Sequence, residues 1–198
     1  MNNKQLAIVA AGVAAVLAVI IVLLVTGGAP TEQLAEDTAG DVSLSEGPAP
    51  PPDQSLADIR SARVYLAASQ VVFEAKMAGP IPETLKNQTL SWRWELLEGG
   101  TETWIVSASV SVDQPIASVL STQTGYGAST NDETLPGGVD WTDNTIFIRL
   151  NAPEIKDFPG EFTWSLETSL DGNRGNARSA VATDTAPESG LGQYPPPG

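Results

Sequence analysis

The sequence contains no cysteine and no histidine, and basic residues are few. Without cysteine there is no disulfide framework, zinc knuckle, thiolate nucleophile or iron–sulfur centre. Without histidine, the commonest general base at neutral pH and the commonest transition-metal ligand are both missing. Ten Lys and Arg stand against 24 Asp and Glu, which gives a formal net charge of -14 over 198 residues. This balance argues against a nucleic-acid partner, because little here neutralises a run of phosphates.

Apolar residues are concentrated near the N-terminus. Residues 6–25 run for twenty positions without a charge or a strongly polar group. As a helix this run is about 30 Å long, which matches the hydrocarbon core of a bilayer. A cleaved signal peptide is one alternative, although its apolar region is usually about 7–15 residues long. A buried core helix is the other. The run predicts an uncleaved transmembrane helix over residues 6–26.

The charges beside this run predict its orientation. Lys4 and the amino terminus precede it, whereas residues 26–57 contain six acids and no Lys or Arg. Basic residues favour the cytoplasmic side. The sequence therefore predicts a single-pass protein of the cell membrane, with residues 1–5 as a cytoplasmic tail and the rest of the chain outside.

Two segments are predicted to be unstructured because they are rich in Pro, Gly and polar residues and bury little apolar surface. Residues 27–55 form the first, an acidic, Pro-rich linker that includes the run Pro-Ala-Pro-Pro-Pro at 48–52. Residues 188–198 form the second, a flexible Pro-rich tail.

The folded domain is predicted over residues 56–187, where hydrophobicity alternates with a period of two. In residues 90–96, for example, Leu, Trp, Trp and Leu alternate with Ser, Arg and Glu. Gly and Pro turn formers separate such runs. The pattern predicts an all-β fold, an antiparallel β-sandwich of about eight strands.

Three short motifs suggest a family. Residues 37–41 read Asp-Thr-Ala-Gly-Asp, Asp58-Ile59 begins the first predicted core strand, and residues 184–188 read Asp-Thr-Ala-Pro-Glu. Together they resemble the extracytoplasmic sandwich domains related to the DOMON and family-nine carbohydrate-binding modules. The resemblance implies a binding function, with sugar, haem or calcium as the ligand.

Haem and sugar make different demands on this chain. The haem-binding relatives use Met and His ligands, and the one Met beyond the initiator, Met77, is predicted in a core strand. Haem is therefore not expected. The sugar-binding relatives use exposed aromatic side chains. Four Trp residues share the parity of core positions, which leaves Trp141 and Tyr126 as candidate ligand-binding residues. The alternative for Tyr126 is a loop aromatic folded over one end of the sandwich.

Calcium is the third ligand implied by the resemblance, and it is the candidate cofactor of this protein. It is bound by six to eight oxygen atoms, usually from several carboxylates and from carbonyls of irregular segments. Acids occur near both ends of the predicted domain, and the termini of a sandwich can approach one another. The candidate calcium ligands are Asp37, Asp41, Asp58, Asp171 and Asp184. The alternative is that these residues are ordinary acids of turns and linkers.

The sequence shows no catalytic machinery, and the protein is not expected to be an enzyme. A serine nucleophile would lack a His partner, and no Gly-rich phosphate loop opens a helix. The expected function is that of a membrane-anchored extracytoplasmic binding module for a cell-envelope glycan or small ligand. One alternative is a structural protein that binds another envelope protein. A more distant one is a hydrolase that uses paired carboxylates.

Overall fold

The computed structural model describes residues 34–45, 53–86, 88–99, 102–111, 117–124, 131–134, 137–172 and 181–195. The chain divides into two compact units, residues 1–31 and 32–198, and all the described residues belong to the second. The predicted transmembrane helix at 6–26 and the candidate Tyr126 lie outside the described residues. Within the described ranges, no helix is long and apolar enough to cross a membrane.

The described residues form thirteen strands and two short 3-10 helices, at Gln54–Leu56 and Ala152–Glu154. In chain order the strands are β1 (Ala35–Glu36), β2 (Ser43–Leu44), β3 (Ile59–Ala67), β4 (Gln70–Met77), β5 (Gln88–Glu98), β6 (Glu102–Ser111), β7 (Ala117–Thr124), β8 (Asn131–Thr134), β9 (Gly137–Thr142), β10 (Thr145–Leu150), β11 (Phe162–Gly172), β12 (Val181–Ala186) and β13 (Gly192–Tyr194).

These strands make two antiparallel sheets. The first has the order β1-β3-β4-β10-β9, and the second has the order β2-β12-β11-β5-β6-β7-β8, with β13 also paired to β11. The all-β class and the antiparallel pairing predicted from the sequence are confirmed. The strands outnumber the predicted eight because β1, β2, β8, β9 and β13 are short and carry no clear alternation.

The two sheets share one hydrophobic core. Phe73 of the first sheet meets Trp94 of the second edge to face, with ring centroids 5.8 Å apart, a favoured geometry for aromatic pairs. As the alternation predicts, the Trp residues at 92, 94, 104 and 164 are all buried. Met77 is buried as well, and the indole N–H of Trp92 donates to its sulfur at 3.4 Å.

Residues 34–45 lie within the predicted linker, yet the structure places them on the folded unit. β1 pairs with β3 at the edge of the first sheet, and β2 pairs with β12 at the edge of the second. The segment therefore passes from one sheet to the other. Strands of two residues show no period in a sequence, so the alternation could not reveal them. In the predicted tail, likewise, β13 pairs with β11.

Candidate functional site

Five carboxylates meet where residues 34–45 pass between the two sheets. They form two groups that share Asp41: Asp41 with Asp58 and Asp184, and Asp41 with Asp37 and Glu188. Within each group, carboxylate oxygens from all three residues lie within 4.8 Å of one another. These five residues are called the acidic cluster below.

Asp58 is fixed by the backbone at the start of β3. Its N–H donates to the carbonyl of Gln54 at 3.0 Å, which ends the 3-10 helix, and its carbonyl accepts from Ala78 N–H at 2.8 Å. The pairing of β3 with β4 shifts register between Ile59 and Ser61, directly after this residue. Such irregularities redirect side chains beside functional sites. Asp58 as a whole is only 6% exposed.

Asp184 is fixed from the opposite sheet. It lies in β12 across from Thr168 and is 6% exposed. Its Oδ2 accepts from Ile59 N–H at 2.7 Å, and its Oδ1 accepts from Thr185 N–H at 2.8 Å. The carboxylate is therefore oriented by two backbone donors, and it joins the start of β3 to the second sheet.

Segment 34–45 brings the turn that carries Asp41 against this pair. Gly40 donates its N–H to Asp58 Oδ2 at 3.1 Å and has a φ of +82°, a conformation that glycine adopts without strain. Thr38 N–H donates to Glu188 Oε1 at 2.7 Å. These two bonds connect the turn to both ends of the cluster.

Two carboxylate oxygens of the cluster have no hydrogen-bond partner among the described residues. They are Asp58 Oδ1 and Asp37 Oδ2, and both atoms are buried. A buried polar atom without a partner costs free energy, and more so when it is charged. Within the described part of the chain, the only ion pair made by the cluster joins Arg60 to Asp58 Oδ2, at 3.7 Å. In the described ranges, therefore, one guanidinium pairs with one of the five acids.

The crowding of like charges changes the acidity of the cluster. Burial, and after it the charges of the Asp184 and Asp41 carboxylates, raise the pKa of Asp37 from 3.8 to about 7. Burial also raises the pKa of Asp184, against the hydrogen bonds from Ile59 and Thr185. Hydrogen bonds from Thr38 lower the pKa of Glu188. Without a cation, Asp37 therefore binds a proton at a higher pH than an ordinary aspartate does.

The cluster is open to solvent on one side. A hollow of about 240 Å³ leads to it, lined by Asp41, Ser43, Thr183, Asp184, Thr185 and Glu188. Its walls offer carboxylate and hydroxyl oxygens and no aromatic ring. A hydrated ion can therefore reach the buried carboxylates from outside.

The structure brings four of the five candidate calcium ligands together and leaves the fifth apart. Asp171 lies on β11 between Thr89 and Val181, with an exposed side chain, and belongs to neither carboxylate group. Glu188 was not among the candidates. Its signal in the sequence was its position in the Asp-Thr-Ala-Pro-Glu motif, four residues after Asp184.

Trp141 lies away from this cluster in the sheet order. It is part of β9, opposite Ile146 of β10, and its half-buried side chain packs against the core. The backbone N–H of Trp141 donates to Asp140 Oδ1 at 2.9 Å. The sequence predicts an exposed aromatic side chain at Trp141, whereas the structure gives a partly buried side chain in a strand.

No protein-family model matches this chain, and the comparisons with curated proteins and with solved structures found no match either.

Proposed function

We propose that this protein is a membrane-anchored, extracytoplasmic binding module without catalytic activity, and that its sandwich binds calcium at the acidic cluster. The observation that supports this most strongly is Asp58 Oδ1. This atom is buried and has no hydrogen-bond partner among the described residues, and the carboxylate that carries it is grouped with those of Asp41 and Asp184. A cation between these oxygens supplies the missing partner and offsets the repulsion.

Calcium fits the donors of the cluster better than other common ions. Transition metals favour imidazole and thiolate ligands, and the sequence contains neither His nor Cys. Calcium–oxygen bonds of about 2.3–2.6 Å let one ion bridge oxygens that lie within 4.8 Å of one another. Magnesium needs bonds of about 2.0–2.1 Å in near-ideal octahedral geometry and keeps several of its waters.

The expected location suits a calcium site of modest affinity. The apolar run at 6–25 and the acidic residues after it favour an anchor with the sandwich outside the cell. Extracellular calcium modules have dissociation constants of about 10⁻⁴–10⁻³ M. Occupancy would then follow the calcium concentration of the surroundings.

Thermal unfolding of the full chain in mild detergent tests this proposal, with tryptophan fluorescence as the readout because four Trp residues are buried. At a calcium concentration about 100 times Kd, binding stabilises the native state by about 2.7 kcal/mol, or about 5–10 °C in Tm. Asp58→Asn is expected to abolish this rise, and the matched control Asp171→Asn to preserve it. An equal Tm in calcium and in chelator for the wild type would overturn the proposal.

One observation favours hydrolysis by paired carboxylates as a second candidate function. Asp37, with a pKa of about 7, has carboxylate oxygens close to those of Asp41 and Glu188. A protonated acid beside an ionised one is the arrangement of retaining glycosidases, whose carboxyl groups are about 5–5.5 Å apart. Release of nitrophenol from a panel of nitrophenyl glycosides, lost in Asp37→Asn, would support this function. No release by the wild type would eliminate it for those substrates.

A further inference from the structure

The acidic cluster is divided between two parts of the chain. Asp37 and Asp41 come from segment 34–45. Asp58, Asp184 and Glu188 come from the body of the sandwich and the residues that follow its strand β12. An ion bound by both sets of carboxylates would therefore link segment 34–45 to the sandwich.

Few other contacts hold the segment to the sandwich. β1 and β2 have two residues each. Leu34 and Leu44, the large apolar side chains of the segment, are 49% and 41% exposed. Only Ala35 and Val42 pack partly against the core. Because burial of apolar area is the main favourable term in such packing, the segment gains little from it.

Backbone hydrogen bonds add to these contacts. Asp37 N–H donates to the carbonyl of Arg60 at 3.1 Å, and Ser45 N–H donates to that of Val181 at 2.9 Å. Bonds of this kind contribute about 0.5–1.5 kcal/mol each, a gain similar in size to the entropy lost when one residue is ordered. These bonds therefore offset only part of the entropy that the twelve residues of the segment lose on docking.

Charge also affects docking. Docking places the carboxylates of Asp37 and Asp41 against three carboxylates of the body. Among the described residues, the cation paired with this cluster is Arg60, which contacts Asp58. Like charges at these distances repel, and partial burial strengthens the repulsion. A divalent cation between the two sets reverses the sign of the interaction.

We propose that calcium controls the docking of segment 34–45: the bound ion clamps the segment across the edges of both sheets, and loss of the ion releases it. This inference rests on the calcium site proposed above. When the segment is released, the chain arriving from the N-terminal side first meets the sandwich near Asp53 instead of at Ala35.

Hydrogen–deuterium exchange of the full chain in mild detergent, in excess calcium and in excess chelator, tests the clamp. Peptides that cover residues 34–45 are compared with peptides from β5 and β11 as an internal core reference. Calcium is expected to slow exchange in the segment by tenfold or more at the amides of Asp37, Thr38 and Gly40. The core strands are expected to change much less.

Two variants make the test specific. Asp41→Asn removes an exposed segment ligand that both carboxylate groups share, and it should erase the calcium-dependent protection of the segment. Asp171→Asn removes an exposed acid outside the cluster and should retain that protection.

Different results would contradict the proposed clamp and the proposed calcium site. A rise in Tm with calcium, with equal exchange of the segment in calcium and in chelator, would overturn the clamp and leave the site. An unchanged Tm together with unchanged exchange would overturn both.

Discussion

Asp184 Oδ2 accepts a 2.7 Å hydrogen bond from the backbone N–H of Ile59, a residue 125 positions earlier in the chain. This bond joins β12 of the second sheet to β3 of the first. Because Asp58 directly precedes Ile59, the same bond holds two buried carboxylates side by side. The junction between the sheets therefore brings two carboxylates close together, and the proposed calcium ion would offset their repulsion.

The stability of the calcium-free protein should fall as the pH rises. Asp37 has a pKa of about 7 in the folded state, against an ordinary value of 3.8, and it faces Asp41, Asp184 and Glu188. Because the pKa of Asp37 is higher in the folded than in the unfolded state, Asp37 contributes stability that is fully present below about pH 4. This contribution is lost as the pH rises through about 7. Urea unfolding midpoints in chelator, measured between pH 5 and pH 8, are expected to decrease.

Two controls identify the source of this trend. Asp37→Asn is expected to reduce it, because the amide does not titrate, and the raised pKa of Asp184 accounts for the trend that remains. Calcium is expected to reverse it for the wild type, because the ion binds the ionised carboxylates. A midpoint in chelator that increases from pH 5 to pH 8 would contradict the assignment to Asp37.

Gly40→Ala should weaken calcium binding without any steric clash. An added Cβ meets nothing within 4 Å, but the φ of +82° is strained for an L residue. The strain costs about 1–2 kcal/mol, and it falls on the turn that carries Asp41 and donates to Asp58. We expect an affinity about tenfold weaker in a calcium titration. Gly160→Ala, also in open space but without a positive φ, serves as the control. Equal affinities for the two variants would show that the turn does not shape the site.

Gly192→Ala should destabilise the sandwich itself and leave its response to calcium intact. An added Cβ at this position of β13 would lie 2.1 Å from Cε2 of the buried Trp164. Overpacking of this kind usually costs about 1–3 kcal/mol. Urea unfolding should show a lower midpoint in calcium and in chelator alike, with an unchanged difference between them. A wild-type midpoint would mean that Trp164 moves aside without cost.

Magnesium should replace calcium poorly. The carboxylates come from three separate elements, and Asp184 is already oriented by two backbone donors. Such a site adapts more readily to the variable coordination of calcium than to the strict octahedron of magnesium. At equal concentrations, magnesium is expected to raise the Tm by less than half as much as calcium. An equal rise would indicate screening by any divalent ion rather than a built site.

The sequence predicted the long strands well because each repeats its alternation several times. In β5 the residues at 90, 92, 94 and 96 are all fully buried, and their neighbours are partly exposed. β1 and β2 have no such repeat, and their pairing depends on contacts with β3 and β12 that no local pattern encodes.

The candidate site was predicted only in part, for a similar reason. Acids near both ends of the domain pointed to Asp37, Asp41, Asp58 and Asp184, which the structure brings together. Asp171 satisfied the same argument by its place in the chain. Asp171 lies on β11 opposite Val181, whereas Asp184 lies three residues further along β12. Asp171 therefore falls outside both carboxylate groups. The role of Glu188 could be recognised only from the folded structure, because its hydrogen bond from Thr38 joins residues 150 positions apart.

Equilibrium dialysis of the full chain against radioactive calcium, after removal of bound ions by a chelator, tests the central claim most directly. We expect saturable uptake of one ion per chain, which Asp58→Asn abolishes and Asp171→Asn preserves. Uptake that never saturates, or equal uptake by the wild type and Asp58→Asn, would contradict it.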